Sequence, residues 1–420
     1  MPSASRTSAF ARVNTLAGKR PTHAAFAWLH GNPKTIMDWQ MEVVAIPAPP
    51  FGEQARAAWL ADRFVEAGLT DVHTDDVGNV LGFMYPSSHN VESTGHIVVV
   101  SAHLDTVFPA GTRIHPSLTQ KDGSDRLEAP GACDNGAGIA GLLALARALV
   151  HAQVDVPVPL LFVGNVGEEG EGDLRGTRHL YLSPLAGRIA AHIVLDGAGA
   201  DSAVTQALGS RRFQVTVSGP GGHSFTDAGT PNPIAALATA LGALNKISVP
   251  EEPRTTMNFG TIHGGTSVNS IPERAVASID FRSTSADELL RLEVALHRAV
   301  EDAVEFANAH APAASARGKL VLTIQKIGDR PAAQLPHDSP ILEALQAVDR
   351  RLDLKTKVRL GSTDANVPLS LHIPAVSVGA GGDGGGAHTL GEWYSAKDRE
   401  LGLKRALLLT LAMLDWAAEQ

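Results

Sequence analysis

The sequence predicts an α/β chain in which a mostly parallel sheet covered by helices is interrupted by an inserted ferredoxin-like βαββαβ unit. Three observations lead there. From about residue 97 short β-branched runs alternate with longer helical patterns, the spacing of parallel strands joined by crossover helices. Between residues 209 and 325 the order becomes strand, helix, two strands, helix, strand. At 420 residues the chain also exceeds what one core ordinarily holds, so more than one domain is expected.

The clearest of the β-branched runs are IVVVSA, PLLFVGN, HIVLD and PAVSVG, expected as strands of the mostly parallel sheet. Gly136–His151, rich in Ala and Leu, reads as a buried helix between the first two. The insert consists of RRFQVTVSG, a helix over 232–246, the strands TTMNFGTIHGG and AVASIDFRS, a long amphipathic helix Ala286–His310, and KLVLTIQKI. A helix over 340–352 then resumes the first pattern. The expected domains are 1–208 and 326–420, forming the α/β part, and 209–325, the inserted part. The run GAGGDGGGAHT is too short for a linker and reads as a loop that wraps a ligand or lines a cleft.

Composition excludes several classes. A net charge of -9 argues against a nucleic-acid surface, which needs clustered Lys and Arg. The single cysteine, Cys133, leaves no intramolecular disulfide and no Cys-rich metal site, so any metal must be held by His and carboxylates. The opening MPSASRTSAFAR lacks the apolar stretch of about 7–15 residues that a secretory signal requires, and its Ser and Arg leave a transit segment as the alternative to a cytoplasmic location. No apolar run approaches the ~20 residues of a membrane span.

In an open parallel sheet ligands collect beyond the carboxyl ends of the strands, so the residues there carry the chemistry. After IVVVSA come His103 and Asp105; after PLLFVGN, Glu168 and Glu169; HIVLD ends in Asp196; His388 follows PAVSVG across the glycine loop; Asp134 precedes the buried helix. Carboxylates so gathered stay ionised only if cations neutralise them. Two divalent ions and a bridging hydroxide would balance Asp134, Glu169 and Asp196. Two imidazoles with three carboxylates suit zinc, and cobalt or manganese also match the ligand types.

These residues resemble a known family, the co-catalytic dizinc peptidases and deacylases that include peptidase T, carboxypeptidase G, acetylornithine deacetylase and succinyl-diaminopimelate desuccinylase. The resemblance rests on SAHLDTV, GACDNGAG, GEEGEG, IVLDGAG, GPGGHSF, the segment SVNSIPERA to DFRS, and AHT, in that order over nearly the whole chain. It implies that His103 and Asp196 hold one metal, Glu169 and His388 the other, and Asp134 bridges both. Glu168 would be the general base and Asp105 the residue that orients His103. A cis peptide is implied at Asp134–Asn135. His223 would stabilise the oxyanion from a partner subunit, Asn269 and Arg282 would contact substrate, and the insert would act as dimerisation and lid domain.

Each residue also has a plainer reading. His103 alone could be a buried core histidine, Glu168 and Glu169 a solvated loop, Asp134 a helix cap, His223 a turn residue, Arg282 a surface ion pair. GSTDAN, 361–366, stays outside the catalytic set because Ser, Thr and Asp before a helix are ordinary caps. His30, His115, His263 and His372 have no partners visible in the sequence and are read as structural. The function expected is a metallopeptidase on short peptides, with an N-acyl amino acid deacylase or desuccinylase as the alternative and a non-catalytic binding relative as a third.

Overall fold

The computed structural model describes residues 8–87, 95–121, 123–311 and 317–420. The chain forms two compact units, Met1–Ala207 with Gln334–Gln420, and Leu208–Ala333. The first seven residues of the opening segment MPSASRTSAFAR lie outside the described residues.

The first unit is built on a sheet whose spatial order is Thr70–Thr74, Val80–Met84, Leu160–Asn165, Ile97–His103, Ile189–Leu195, Ala375–Val378 and Ser202–Ala207, with Lys357–Gly361 also paired to the last of these. The four central strands are the four apolar runs read from the sequence, and they pair parallel to one another. Every residue of Ile97–His103 and Leu160–Asn165 is buried. Both faces therefore need covering. Ile97, Val99, Leu161 and Val163 pack with Leu174, Leu180, Tyr181 and Val367 on one side. On the other side Phe162 meets Phe64 of the helix Gln54–Ala67, ring centroids 6.4 Å apart.

The helix Gly136–His151 packs near the sheet at its amino end because Gly138 has no side chain: a Cβ there would lie 2.5 Å from the Leu195 carbonyl oxygen. Asn135, not Asp134, caps this helix, its Oδ1 accepting from the Gly138 amide at 3.0 Å. The terminal helix Arg399–Ala417 is buried along most of its length.

Two parts were not legible beforehand. Four helices, Ala9–Ala17, Arg20–Gly31, Pro33–Val44 and Gln54–Ala67, precede the sheet. A small antiparallel sheet joins Ser117–Lys121, Ser124–Glu128, Trp393–Ser395 and Asp383–Gly385, so part of the glycine run is a strand. Its glycines carry no β propensity; pairing with Trp393–Ser395 defines it.

One buried group predicts acid sensitivity. His192 sits between the Tyr181 hydroxyl at 3.0 Å and the Ser101 hydroxyl at 2.8 Å, contacts that a neutral imidazole satisfies with one donor and one acceptor nitrogen. Burial lowers it to about 3 from an ordinary 6.5. The folded state thus refuses a proton that the unfolded chain accepts, so the stability is intact above pH 6.5 and is lost as pH falls toward 3. We expect His192→Gln to flatten the acid limb of a denaturant-midpoint profile, the gap to wild type narrowing by about 1.4 kcal/mol per pH unit below 6.5. Parallel profiles would show that His192 does not set the acid limit.

The second unit is a four-stranded antiparallel sheet in the order Thr255–Gly264, Arg274–Ser283, Gly209–Ser218, Val321–Arg330. The helices Pro233–Leu244 and Ala286–His310 bury Leu237, Leu244, Leu292 and Leu296 against Phe213, Val215, Ile279 and Phe281. This is the βαββαβ arrangement expected from the order of elements.

Candidate metal centre

The site forms at the carboxyl ends of the central strands. His103 is the last residue of its strand, and Asp196 directly follows Leu195. Glu168 and Glu169 lie three and four residues beyond Asn165. Asp134 stands between a tight turn and the buried helix, and its peptide bond to Asn135 is cis.

Asp134 is the centre of the cluster. Its Oδ1 lies 3.0 Å from His103 Nε2, and its Oδ2 lies 3.0 Å from His388 Nε2. His388 Nε2 is also 3.1 Å from Glu169 Oε1, and His103 Nε2 is 3.9 Å from Asp196 Oδ1. One carboxylate thus faces two imidazoles that are 285 residues apart (388 − 103) in the chain.

The electrostatics follow from this crowding. Burial would lower His103, but Asp105, Asp134 and Asp196 together hold it well above the ordinary histidine value. His388 rises to about 9, chiefly through its hydrogen bond to Asp134. Burial would raise Asp134, yet the two imidazoles keep it below the usual carboxylate range. Glu169, pushed first by burial and then by Asp134, rises to about 7. The cluster attracts positive charge.

Its donors fit divalent ions. One ligand atom each from His103, Asp134 and Glu169 fall within 4.8 Å of one another. Metal bonds of 2.0–2.1 Å in a tetrahedron put neighbouring ligand atoms about 3.3 Å apart, close to the separations seen here. Asp134 Oδ1 is buried and faces His103 Nε2 at 3.0 Å, the close approach of two groups that one cation would ligate together.

Asp105 does more than face His103. His103 Nδ1 is 3.1 Å from the Asp105 carbonyl oxygen and 3.7 Å from its carboxylate. The carboxylate oxygens accept from the backbone amides of Glu168 at 2.9 Å and Glu169 at 2.7 Å. Burial would raise this group, but His103 and the two amides keep its pKa low. It therefore ties the imidazole to the loop that carries both glutamates. We expect Asp105→Asn, which replaces one acceptor oxygen with a donor, to weaken metal binding ten- to a hundredfold, read by competition with a chromogenic chelator. Unchanged affinity would leave Asp105 with a purely local role.

The glutamate loop is also closed from behind. Asn79 accepts from the Val166 amide at 3.0 Å and donates to the Gly176 carbonyl at 3.0 Å. Asp364, the aspartate of GSTDAN, accepts from Asn165 Nδ2 and Thr177 Oγ1, each at 2.6 Å. It does not cap the helix that follows; it pins the two ends of the loop. Arg56, fully buried, donates to the carbonyls of Ile46 at 2.7 Å and Leu104 at 2.8 Å. Burial lowers its guanidinium to about 10 while Asp105 and Glu392 oppose the shift, so it stays charged. Of these residues only Asp364 falls in a segment that the sequence marks, GSTDAN, and the reading of that segment as ordinary helix caps does not hold for it.

The second unit gathers His223 and Asn269. His223 pairs with Ser270 across a two-residue bridge, and the Ser224 amide donates to the Asn269 carbonyl at 3.0 Å. His223 Nδ1 accepts from the amides of Phe225 and Thr226 at 3.2 and 3.3 Å. That leaves the proton on Nε2, where the exposed side chain can donate it. Arg282 is not with them. It lies eight residues along the strand from Arg274, roughly 27 Å at the rise of a β-strand, and its Nε donates to Asp280 at 2.8 Å.

The chain belongs to the peptidase family M20/M25/M40, whose model matches residues 99–412. It is 26% identical over 298 residues to a probable carboxypeptidase of Neosartorya fischeri, the match taking in 65% of this chain and 66%, just under two thirds, of that relative's length. A tripeptidase of Staphylococcus aureus superposes with a TM-score of 0.70 at 21% identity, covering 93% of this chain and 99% of that one. A dinuclear metal-binding peptidase of the same family from Bacillus subtilis gives 0.62 at 14% identity, covering 91% and 98%. Among the described residues no helix is long and apolar enough to cross a membrane.

Proposed function

We propose that this protein hydrolyses an amide bond in short peptides with the aid of two divalent ions, zinc first among zinc, cobalt and manganese on ligand type. The observation that carries the reading is Asp134, whose two oxygens each meet a different imidazole at 3.0 Å. His103 and Asp196 would hold one ion, Glu169 and His388 the other, and Asp134 both. The bound ions would activate water and polarise the scissile carbonyl.

The chain's own residues do the rest. Glu168 takes the proton of the attacking water and delivers it to the leaving amine nitrogen, so the carboxyl ends as it began. Asp105 holds Glu168 in place through its amide. From the partner subunit, the Nε2–H of His223 would donate to the developing oxyanion with Asn269 orienting the substrate beside it, and Arg282, which lies away from that pair in its own chain, would offer its remaining guanidinium donors to a substrate carboxylate from the other copy.

The domains read as a catalytic part and an inserted dimerisation and lid part, in a cytoplasmic homodimer. The outer strand Thr255–Gly264 of the inserted sheet, with exposed Ile262, supports pairing between copies. Metal-free protein should be tested on di- and tripeptides and on N-acetyl and N-succinyl amino acids, before and after adding zinc, cobalt or manganese. Metal-restored cleavage of peptides is expected. Cleavage of only the N-acyl compounds would replace the substrate class, and no cleavage with any metal would overturn the reading.

A further inference from the structure

We infer that Glu392 is a positioning residue that fastens the Asp134 turn to the His388 loop, and so sets the distance between the ligands that come from the middle and the end of the chain. The inference rests on the two-metal reading above, and nothing in the sequence motifs points to it.

The case begins with the amides of the turn. The Ala132 amide is satisfied by the Ala129 carbonyl at 3.1 Å. Those of Gly131, Cys133 and Asp134 point elsewhere, and all three meet one carboxylate: Glu392 Oε2 accepts from Gly131 at 2.8 Å, and Oε1 accepts from Cys133 and Asp134, each at 2.7 Å. On the carbonyl side Gln40 Nε2 donates to Ala132 at 2.7 Å. With its amides and carbonyls both committed, the turn has little freedom to rotate, and the direction of the Asp134 side chain follows.

Glu392 reaches the turn from a fixed base. It is 1% exposed and four residues beyond His388. Its loop is closed by backbone bonds from Thr389 to Gly386 at 3.0 Å and from Glu392 to Thr389 at 3.2 Å. The Ala129 amide donates to the Glu392 carbonyl at 3.1 Å. The adjacent Trp393 pairs in register with Glu128, so strand and carboxylate grip the same turn from two points. A displacement of the His388 loop is thereby a displacement of Asp134, and the 3.0 Å contact between them is preserved.

The mechanism depends on reach rather than on charge, and two conservative variants separate the two. Glu392→Gln keeps the arm length and one oxygen for the Cys133 and Asp134 amides. Glu392→Asp keeps the charge but shortens the arm by one methylene. Zinc affinity of each variant would be measured by chelator competition, alongside kcat and KM on a cleaved peptide, hydrogen-exchange protection of the amides of Gly131, Cys133 and Asp134, and the thermal midpoint.

For Glu392→Asp we expect zinc affinity to fall about ten- to a hundredfold, kcat to fall with it, KM to change less than about twofold, and the three amides to lose protection. Glu392→Gln should recover most of the affinity and the protection of Cys133 and Asp134. Wild-type affinity and kcat in Glu392→Asp would overturn the inference, as would a Gln variant worse than the Asp variant. If Glu392→Asp fails to fold, Glu392→Gln decides alone: protection of Cys133 and Asp134 retained with near-wild-type zinc affinity supports it, and protection retained with affinity lost overturns it. Wild-type protein that takes up no zinc would overturn the two-metal reading itself, an outcome distinct from the others.

Discussion

Replacing Glu168 with Gln is expected to lower kcat by about two to four orders of magnitude while leaving metal content and KM nearly unchanged. The position of this side chain is set by its backbone: the Glu168 amide donates to Asp105 Oδ1 at 2.9 Å, a bond that the substitution leaves intact. Gln has the same shape and fits the same buried place. It lacks the basicity to take a proton from water, so the loss falls on the chemical step. Steady-state kinetics on a cleaved peptide, with bound metal assayed on the same sample, separates this from a folding defect. A variant that kept more than about a tenth of wild-type kcat would place the base elsewhere.

Asp134→Ala should have the second large effect, the loss of both ions together with turnover. Each of the other proposed carboxylates serves one imidazole; Asp134 serves both. Without it each cation keeps one histidine and one carboxylate, and the two cations repel each other with no anion between them. Asp196→Ala is the control, since of the two imidazoles Asp196 approaches His103 and its removal should cost a single ion. The main-chain anchors of residue 134 survive in the variant because Glu392 binds its amide, not its side chain. Metal stoichiometry at saturating zinc checks both expectations. Two ions in Asp134→Ala would remove it from the bridging position.

Much of the site could be read in the chain because its chemistry is local. A histidine that ends a buried strand, or an aspartate that begins just after one, is placed by the strand itself. The helices before residue 70 were harder. The helix Gln54–Ala67 carries Arg56, a charged residue within an amphipathic pattern that ordinarily places charge in water, and yet it is wholly buried beneath the Leu104 carbonyl. The same holds for Asp364, which resembles a cap in sequence and is buried against Asn165 and Thr177.

The sequence by itself determined the central strands, the inserted unit and a set of candidate residues at the strand ends, because apolar runs and turn residues act over a few positions and the strand ends follow from them. Only the tertiary structure decided which of those residues meet. That Asp134 stands between His103 and His388, that Asp105 spans to the amides of Glu168 and Glu169, and that Glu392 holds the Asp134 turn are all pairings between distant segments. No local propensity encodes a contact across 258 residues; it arises when packed strands and a short second sheet bring the segments together, and buried polar groups must then find partners among whatever lies within reach.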